Sequence, residues 1–351
     1  MEPSRLDPGL APVHGFEAVS RPIRRRRRLH EVRVIVLRRL GLGVPVAVGV
    51  SLLVFLLASV SPFDPLAAYL GDRFAQTSAA QREVLSESLG LGTSWIQAWW
   101  HWGTSALSGD LGYSRVFRQP VASVISERLL WTLLVAGTGL VLAALGSLLI
   151  ASRCARRPGG VLDRAAAAAA TLLQGLPPFV ISLGLLAVFA LGLGLLPGGG
   201  LSDPGTEPTA GQVLRHMILP VAATSLSQLP WLVLSLRAST NEALASDAVR
   251  GARLRGLSEK TVVRKHVMPS ALVPFIAVLG SRLPEVIVGA VLVETVFSWP
   301  GLAAAVVSSA QALDFALLAA LTVLTTVTVL AGSLIADLLY VWIDPRVTAD
   351  V

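Results

Sequence analysis

The sequence predicts an all-α, polytopic membrane protein with six transmembrane helices. Of its 351 residues, 53% are hydrophobic and 15% are charged, whereas an ordinary soluble domain carries about 25% charged residues. A soluble fold of this composition lacks the polar surface to cover its apolar residues. Uncharged runs of about 20 residues, enough to cross a bilayer, recur along the chain. The loops between them are alternately rich and poor in basic residues.

Six runs are predicted to span the membrane. The third uncharged stretch is too long for one span of about 20 residues and too short for two spans with a turn. Pro177 and Pro178 predict a break or kink inside it, because proline removes a helix hydrogen bond and clashes with the preceding turn. A cleaved signal peptide is the alternative for the first run, which is longer than a usual signal core. The predicted spans are residues 40–60, 129–150, 165–196, 217–236, 271–297 and 315–343.

Loop charges orient these spans. The segments before span one, between spans two and three, and between spans four and five carry ten, four and seven basic residues. The opposite loops carry five, one and none, and the five are spread over the long segment 61–128. The positive-inside rule therefore predicts that both termini face the cytoplasm, in the inner membrane of a bacterium.

The basic N-terminal segment accounts for most of the net charge. Residues 1–39 contribute +6 of the formal +7. A basic block directly before an apolar run favours a topology signal and contact with anionic lipid over nucleic-acid binding. Residues 1–33, rich in Pro and Arg, are predicted to form a disordered cytoplasmic tail, and residues 347–351 form a short C-terminal tail.

Two loops are large enough to carry function. The outside loop, 61–128, contains a tryptophan cluster that includes Trp99, Trp100 and Trp102. Tryptophan is enriched at membrane–water interfaces, so this cluster is predicted to anchor the loop there. The cytoplasmic loop, 237–270, is polar and has a helical pattern. A short helix over 242–256 is predicted, followed by a bend at Gly256 and a second helical segment over 257–267.

Several chemistries have no motif in this sequence. There is no G-x-x-x-x-G-K-[ST] phosphate loop, no H-E-x-x-H pair and no G-x-S-x-G elbow, and each of these would mark a specific enzyme class. The single cysteine, Cys154, excludes an intramolecular disulfide, and the five histidines lack metal-ligand spacing. We therefore predict no catalytic residue, no metal site and no cofactor in this chain, so transport would draw its energy from a partner or an ion gradient.

Residues 242–274 carry a specific resemblance. They read EALASDAVRGARLRGLSEKTVVRKHVMPSALVP and resemble the cytoplasmic EAA loop of binding-protein-dependent ABC importer permeases. The dipeptide, oligopeptide and nickel branch is the closer match, in its B-type permease subunit. Other pieces similar to this branch follow in family order, namely LSGDLGYSRVFRQPVASVISERLLWTL (107–133), LPPF (176–179), VETVFSWPGL (293–302) and ADLLYVWIDPR (336–346).

The resemblance implies a fold, a function and a set of partners. Residues 34–346 would form the transmembrane domain of an importer that carries short peptides. A second homologous permease, two ATPase subunits that bind ATP and Mg, an extracytoplasmic solute-binding protein and membrane lipid would be its partners, with no nucleic acid. The alternatives are an ABC importer for nickel or another small solute, a secondary transporter without ATPase subunits, and a membrane scaffold protein.

The resemblance also implies site residues, although the chain departs from the family at three positions. Ala248 stands where an aromatic residue is common, and Arg282 and Glu285 stand where neutral residues are usual. The residues implied to couple to the ATPase are Glu242, Ala243, Asp247, Arg250, Ala252, Arg253, Gly256, Leu257 and His266.

A further set is predicted at the translocation path or the permease interface: Arg282, Glu285, Glu294, Pro177 and Pro178. Arg282 and Glu285 lie three residues apart in span five, so they share a helix face and form an ion pair. Facing lipid at mid-depth would cost roughly 2.5–3.5 kcal/mol for each charge. Two interpretations are open, a structural pair inside the bundle or a lining of the path or of the second permease's contact.

Overall fold

The computed structural model describes residues 20–60, 65–88 and 94–343, and these ranges are almost entirely helical. The first part of the chain contains α1 (Ser20–Ser59), α2 (Pro65–Leu70), α3 (Ala79–Ser88), α4 (Trp95–Leu107), β1 (Tyr113–Ser114), β2 (Gln119–Pro120) and α5 (Val121–Cys154). The second part contains α6 (Val161–Gln174), α7 (Pro178–Leu185), α8 (Ala210–Leu244), α9 (Asp247–Leu254), α10 (Glu259–Val262), α11 (Met268–Val296), α12 (Leu302–Gln311) and α13 (Phe315–Ile343). A turn of 3₁₀ helix (Gly71–Gln76) follows α2, and π-helical segments follow α7 (Leu186–Gly192) and α10 (Val263–Val267).

Five helical stretches are individually long and apolar enough to cross a membrane. They are Val32–Leu57, Val121–Cys154, Ala210–Leu244, Glu259–Val286 and Phe315–Leu339. A sixth candidate is the pair formed by α6 and α7, whose axes differ by 104° across the Pro177–Pro178 break.

Contacts along α8 show that the bent pair crosses once. At the start of α6, Asp163 accepts a hydrogen bond from Arg237 near the end of α8. After α7, the carbonyl of Leu195 accepts one from Arg215 near the start of α8, at 3.4 Å. The two arginines lie about 33 Å apart along α8 at 1.5 Å per residue, which is close to the hydrocarbon thickness of a bilayer. The pair is therefore a broken span rather than a re-entrant loop, and the prediction of six spans is confirmed.

The helices extend beyond the uncharged runs that predicted them. α5 begins at Val121, so the outside loop ends eight residues before the predicted boundary, and α8 continues to Leu244, so the cytoplasmic loop begins later than predicted. Residues 20–33 are also helical, in contrast to the predicted disordered tail. Hydropathy marks the apolar depth of a span, whereas the backbone hydrogen bonds of a helix continue into its polar ends. Residues 1–19 and 347–351 lie outside the described ranges.

Small residues allow α5, α8, α11 and α13 to approach closely. A Cβ atom at Gly139 of α5 would lie 2.6 Å from the side chain of Thr224 on α8, and one at Gly280 of α11 would lie 2.8 Å from Ala336 on α13. Close backbone approach of this kind is the usual basis of helix packing in membranes. The central core beside these contacts comprises Ala136, Leu140, Ala143, Ala151, Leu232, Leu236, Ala271, Phe275, Val286 and Ala290.

The β1–β2 hairpin is tied to the start of α13. The Oγ of Ser114 and the backbone N–H of Val116 donate to the same carboxylate oxygen of Asp314, at 2.7 and 3.2 Å. Asp314 is buried and also accepts from the N–H of Leu317 in the first turn of α13. The hairpin in the loop between spans one and two is thereby fixed to span six.

Candidate coupling loop and translocation surface

The loop between α8 and α11 folds around a small core of its own. Val249 and Ala252 lie three residues apart on one face of α9 and are fully buried. They pack with Ala243 at the end of α8 and with Val262 and Val267 before α11. The loop is therefore a structured element fixed to spans four and five rather than an unstructured, solvated segment.

The opposite face of α9 is open. Leu254 is 84% exposed, which is unusual for a leucine at the end of a charged helix. Asp247 and Arg250 are also exposed on this face, with their side chains 3.9 Å apart. A cavity of about 380 Å³ lies beside them, lined by Leu244, Ala245, Ser246, Arg250, Arg253 and Leu254. An exposed leucine among charged groups, next to a groove, suits a protein partner.

Gly256 ends α9 in the left-handed conformation that the bend requires. Its φ is +75°. The N–H of Gly256 donates to the carbonyl of Arg253, at 2.9 Å, and the N–H of Leu257 donates to that of Ala252, at 3.3 Å. This pair of bonds is a Schellman motif, in which glycine is preferred because it carries no Cβ. A Cβ at Gly256 would meet no atom within 4 Å, so any substitution cost comes from the backbone angle rather than from a clash.

An ion pair fastens the two sides of the bend. Arg253 donates from Nε and Nη2 to the two carboxylate oxygens of Glu259, at 2.8 and 3.1 Å. These bonds raise the pKa of Arg253 above its usual value. A bidentate pair adds geometric definition as well as energy, so Arg253 holds α9 against α10 in addition to bordering the groove.

The other predicted coupling residues are divided between surface and core. Glu242 is exposed on the last turn of α8, and Leu257 is exposed after the bend. Ala243 and Ala252 belong to the buried core, and His266 lies partly buried in the π-helical segment before α11. The single helix predicted over 242–256 is wrong, because α8 ends at Leu244 and α9 begins only at Asp247. Ser246 takes an extended conformation between them, as a helix N-cap does.

A salt bridge that sequence reasoning missed supports this loop from the membrane side. Arg237 of α8 donates to both carboxylate oxygens of Asp163 in α6, at 2.6 and 3.1 Å. The N–H of Gly159 donates to the same carboxylate, at 2.9 Å. Asp163 lies close to the edge of an alanine run and Arg237 is one of several basic residues at the start of the predicted loop, so their positions in the sequence do not indicate that they meet. The one available signal was an acid in the first turn of a helix, where the helix dipole favours it.

Arg282 and Glu285 form the predicted ion pair, and it lies at the edge of the subunit. The Arg282 guanidinium donates to Glu285 and stacks 4.2 Å above the ring of Trp231 on α8. The Arg282 side chain is 15% exposed, whereas that of Glu285 is 53% exposed. Within this chain the pair is therefore not enclosed by the bundle, and the carboxylate faces outward.

The outward face of α11 differs from those of other spans. From residue 281 onward, the exposed side chains among those described recur every three or four residues and are Ser281, Glu285, Val288, Leu292 and Thr295. The exposed large hydrophobic residues of α5 include Leu130, Leu133, Val141, Leu142, Leu145 and Leu149. A lipid-facing surface is apolar because a charge in hydrocarbon is costly. The α11 face therefore suits a protein contact or a water-filled path better than lipid.

Glu294 lies in an enclosed position near the end of α11. It is fully buried and accepts from the Thr132 hydroxyl at 2.5 Å and from the backbone N–H of Ala303 at 2.8 Å. A Cβ at Gly301 would overlap its carboxylate, at 2.1 Å. Within this chain the enclosed carboxylate fixes the loop before α12 to α5.

Pro177 and Pro178 mark the break between α6 and α7, as predicted. Pro178 occupies the first position of α7, where its missing N–H costs no hydrogen bond. The N–H groups of Val180 and Ile181 both donate to the carbonyl of Pro177. α7 then packs against α8 and α11.

Among the described residues, no three His, Cys, Asp or Glu side chains are grouped to hold a metal ion.

Six helical crossings, with a folded loop between the fourth and fifth that leaves one face of α9 open, define a multi-pass membrane protein. Residues 147–349 match the family described as the binding-protein-dependent transport system inner membrane component, and the chain belongs to that family. It is thus a permease subunit of an ABC importer, located in the inner membrane.

Curated relatives match over nearly their full length. The oligopeptide transport system permease protein AppB of Bacillus subtilis is 32% identical over 89% of this chain and 98% of the relative. The probable D,D-dipeptide transport system permease protein DdpB of Escherichia coli is 33% identical over 86% of this chain and 94% of the relative. The glutathione transport system permease protein GsiC of Escherichia coli is 30% identical over 89% and 98%.

Proposed function

We propose that this subunit imports short peptides. The named cargoes of the three relatives above, an oligopeptide, a D,D-dipeptide and glutathione, are all peptides. The sequence has no phosphate-loop motif, so ATP and Mg would be bound by two partner ATPase subunits, and this chain would hold no cofactor. Residues 34–346 would form the transmembrane domain, and a second homologous permease would form the translocation path together with it. An extracytoplasmic binding protein would deliver the cargo.

The orientation that we propose places both termini in the cytoplasm. An even number of crossings brings the two ends of the transmembrane domain to the same side. The loops on that side carry most of the basic residues, including those of the segment between α8 and α11, which agrees with the positive-inside rule. The β1–β2 hairpin and α12 would then face outward, toward the binding protein.

The open face of α9 would dock on an ATPase subunit. The observation that carries this proposal is the exposed Leu254 beside the 380 Å³ groove. The inner face of α9 is packed onto the ends of spans four and five through Val249 and Ala252. A displacement of the open face of α9 by the ATPase would therefore be transmitted directly to the two membrane helices, α8 and α11.

A charge reversal in the groove tests the docking. Arg250→Glu would place a carboxylate where the groove presents a guanidinium, and Lys260→Glu makes the same change on the exposed side of α10, outside the groove. Like-charge juxtaposition at an interface costs several kcal/mol. We expect Arg250→Glu to lose most co-purified ATPase and most peptide uptake, and Lys260→Glu to keep both. Equal retention of ATPase by the two variants would contradict the docking surface, and uptake without any ATPase would favour a secondary transporter.

A further inference from the structure

An apolar groove lies where α4 meets the first and last spans. Its volume is about 420 Å³. α1 contributes Ala47, Val48 and Ser51, and α13 contributes Ala320 and Val323. α4 contributes three tryptophans and Gly103, which follows Trp102. The groove is distinct from the coupling loop and from the α11 face, and neither the peptide cargo nor the ATPase partners account for it.

Four polar side chains around the groove are paired within the chain. The indole N–H of Trp99 donates to the Oγ of Ser51, which itself donates to the carbonyl of Val48. The indole N–H of Trp102 donates to the carbonyl of Leu111, and the hydroxyl of Thr104 donates to its own helix backbone. The groove therefore presents ring faces and methyl groups, with these hydrogen-bonding atoms satisfied, and this favours an apolar occupant.

The depth of the groove identifies the kind of apolar occupant. Ser51 lies six residues before the end of the span Val32–Leu57, and Ala320 lies five residues after the start of the span Phe315–Leu339. At 1.5 Å per residue, both lie roughly 8–9 Å inside the ends of their spans. Both residues therefore lie within the apolar length of their spans, where acyl chains surround a membrane protein.

The open side of the groove is continuous with the apolar surface of the spans. Val48 is exposed and borders the groove, and Val44, one turn earlier on α1, is exposed as well. Trp100 and Leu107 of α4 are also exposed at the rim. No residue of α4 is buried, although Trp99 donates to Ser51 and the ring of Trp102 packs against Phe55. Much of this helix is therefore still open beside the groove.

We propose that the groove binds one acyl chain of a phospholipid, which packs between α4 and the spans. The apolar lining favours an apolar ligand over a polar one, and the position within the apolar length of the spans provides acyl chains at high local concentration. The bound chain would complete the packing of α4 and so hold the outside loop in place. The proposal does not depend on which cargo the importer carries.

Gly103 permits a direct test. A Cβ at Gly103 would meet no atom within 4 Å, so this position has room for the start of a side chain, and Gly103→Leu adds apolar bulk to the groove lining. Gly49 on α1 is equally open and does not line the groove, so Gly49→Leu is the matched control. Ala47→Phe fills the groove from α1 and serves as the second variant if Gly103→Leu does not assemble.

The assay is quenching of tryptophan fluorescence in the purified, delipidated importer by phosphatidylcholine carrying bromine on its acyl chains. We expect wild type and Gly49→Leu to show quenching that saturates near one lipid per subunit and is reversed by unbrominated phospholipid. Gly103→Leu and Ala47→Phe should lose that saturable part. Delipidation should also lower the apparent Tm of wild type more than that of Gly103→Leu. Absence of saturable quenching in wild type, or equal quenching in Gly103→Leu, would overturn the proposal.

Discussion

The Asp163–Arg237 bridge should be the ion pair on which the part of this subunit around the α8–α11 loop depends most. The substitution is Arg237→Ala, which leaves the Asp163 carboxylate with only the N–H of Gly159 as a hydrogen-bond donor among the contacts described above. The Asp163 side chain is 4% exposed and that of Arg237 is 33% exposed. The pair is thus intermediate between a buried and a surface salt bridge.

The expected cost follows from that partial burial. Removing one partner of a fully buried pair costs about 3–5 kcal/mol, whereas a surface pair contributes about 0–1 kcal/mol. Because one side of the Asp163–Arg237 pair reaches solvent, we expect Arg237→Ala to destabilise the subunit by about 2 kcal/mol, or roughly thirtyfold in the folding equilibrium. The double variant Asp163→Asn with Arg237→Ala should recover part of that loss, since no lone charge is left buried.

A second ion pair in the same chain provides the control. Arg39 on α1 donates to Asp337 on α13 at 2.7 Å, nearly the same distance, but both side chains are more than a third exposed, at 38% and 36%. Solvent screens such a pair, so Arg39→Ala should cost less than about 1 kcal/mol.

The measurement is unfolding of the purified importer, read together with hydrogen exchange over residues 245–260. We expect Arg237→Ala to lower the apparent stability and to raise exchange in α9, because α6 no longer holds the end of α8. Arg39→Ala should leave exchange in α9 unchanged. Equal effects of the two variants, or a double variant as unstable as Arg237→Ala, would refute the reasoning from burial.

Three further predictions follow from the loop, the α11 face and the topology. Gly256→Val should lower ATPase co-purification and peptide uptake, since a valine backbone at a φ of +75° costs about 1–2 kcal/mol. Gly256→Asn should stay near wild type, because asparagine tolerates that angle. Equal activity of the two variants would show that the bend does not depend on the backbone angle. Arg282→Ala, Glu285→Ala and the double variant should assemble normally but take up peptides with altered rate or preference, because the Glu285 carboxylate faces outward. Recovery of assembly only in the double variant would instead indicate a structural pair, and unchanged uptake in all three would exclude a path role. A reporter fused after Leu201, in the loop that leads from α7 to α8, should signal the outside, and a cytoplasmic signal there would refute the proposed orientation.

The α9 bend was predictable because its cause is local. A left-handed backbone needs glycine, and Gly256 stands directly after a short amphipathic segment. The pairing of Arg282 with Glu285 was predictable for the same reason, since residues three apart share a helix face. The place of the broken span could be identified from Pro177 and Pro178, although the sequence did not provide its angle.

Contacts between distant parts of the chain decided the rest. Glu294 reads as a charge near the end of a span, and only the packing of α5 and the loop before α12 shows that it is enclosed. Asp163 and Arg237 are 74 residues apart, and the groove beside α4 needs three helices that are separate in sequence. Hydropathy, charge alternation and turn residues report on the immediate neighbours of a residue, so the sequence by itself determined the class, the number of spans and the position of the large loop between spans four and five. Burial and partnership depend on which helices meet, and that was decided by the tertiary structure alone.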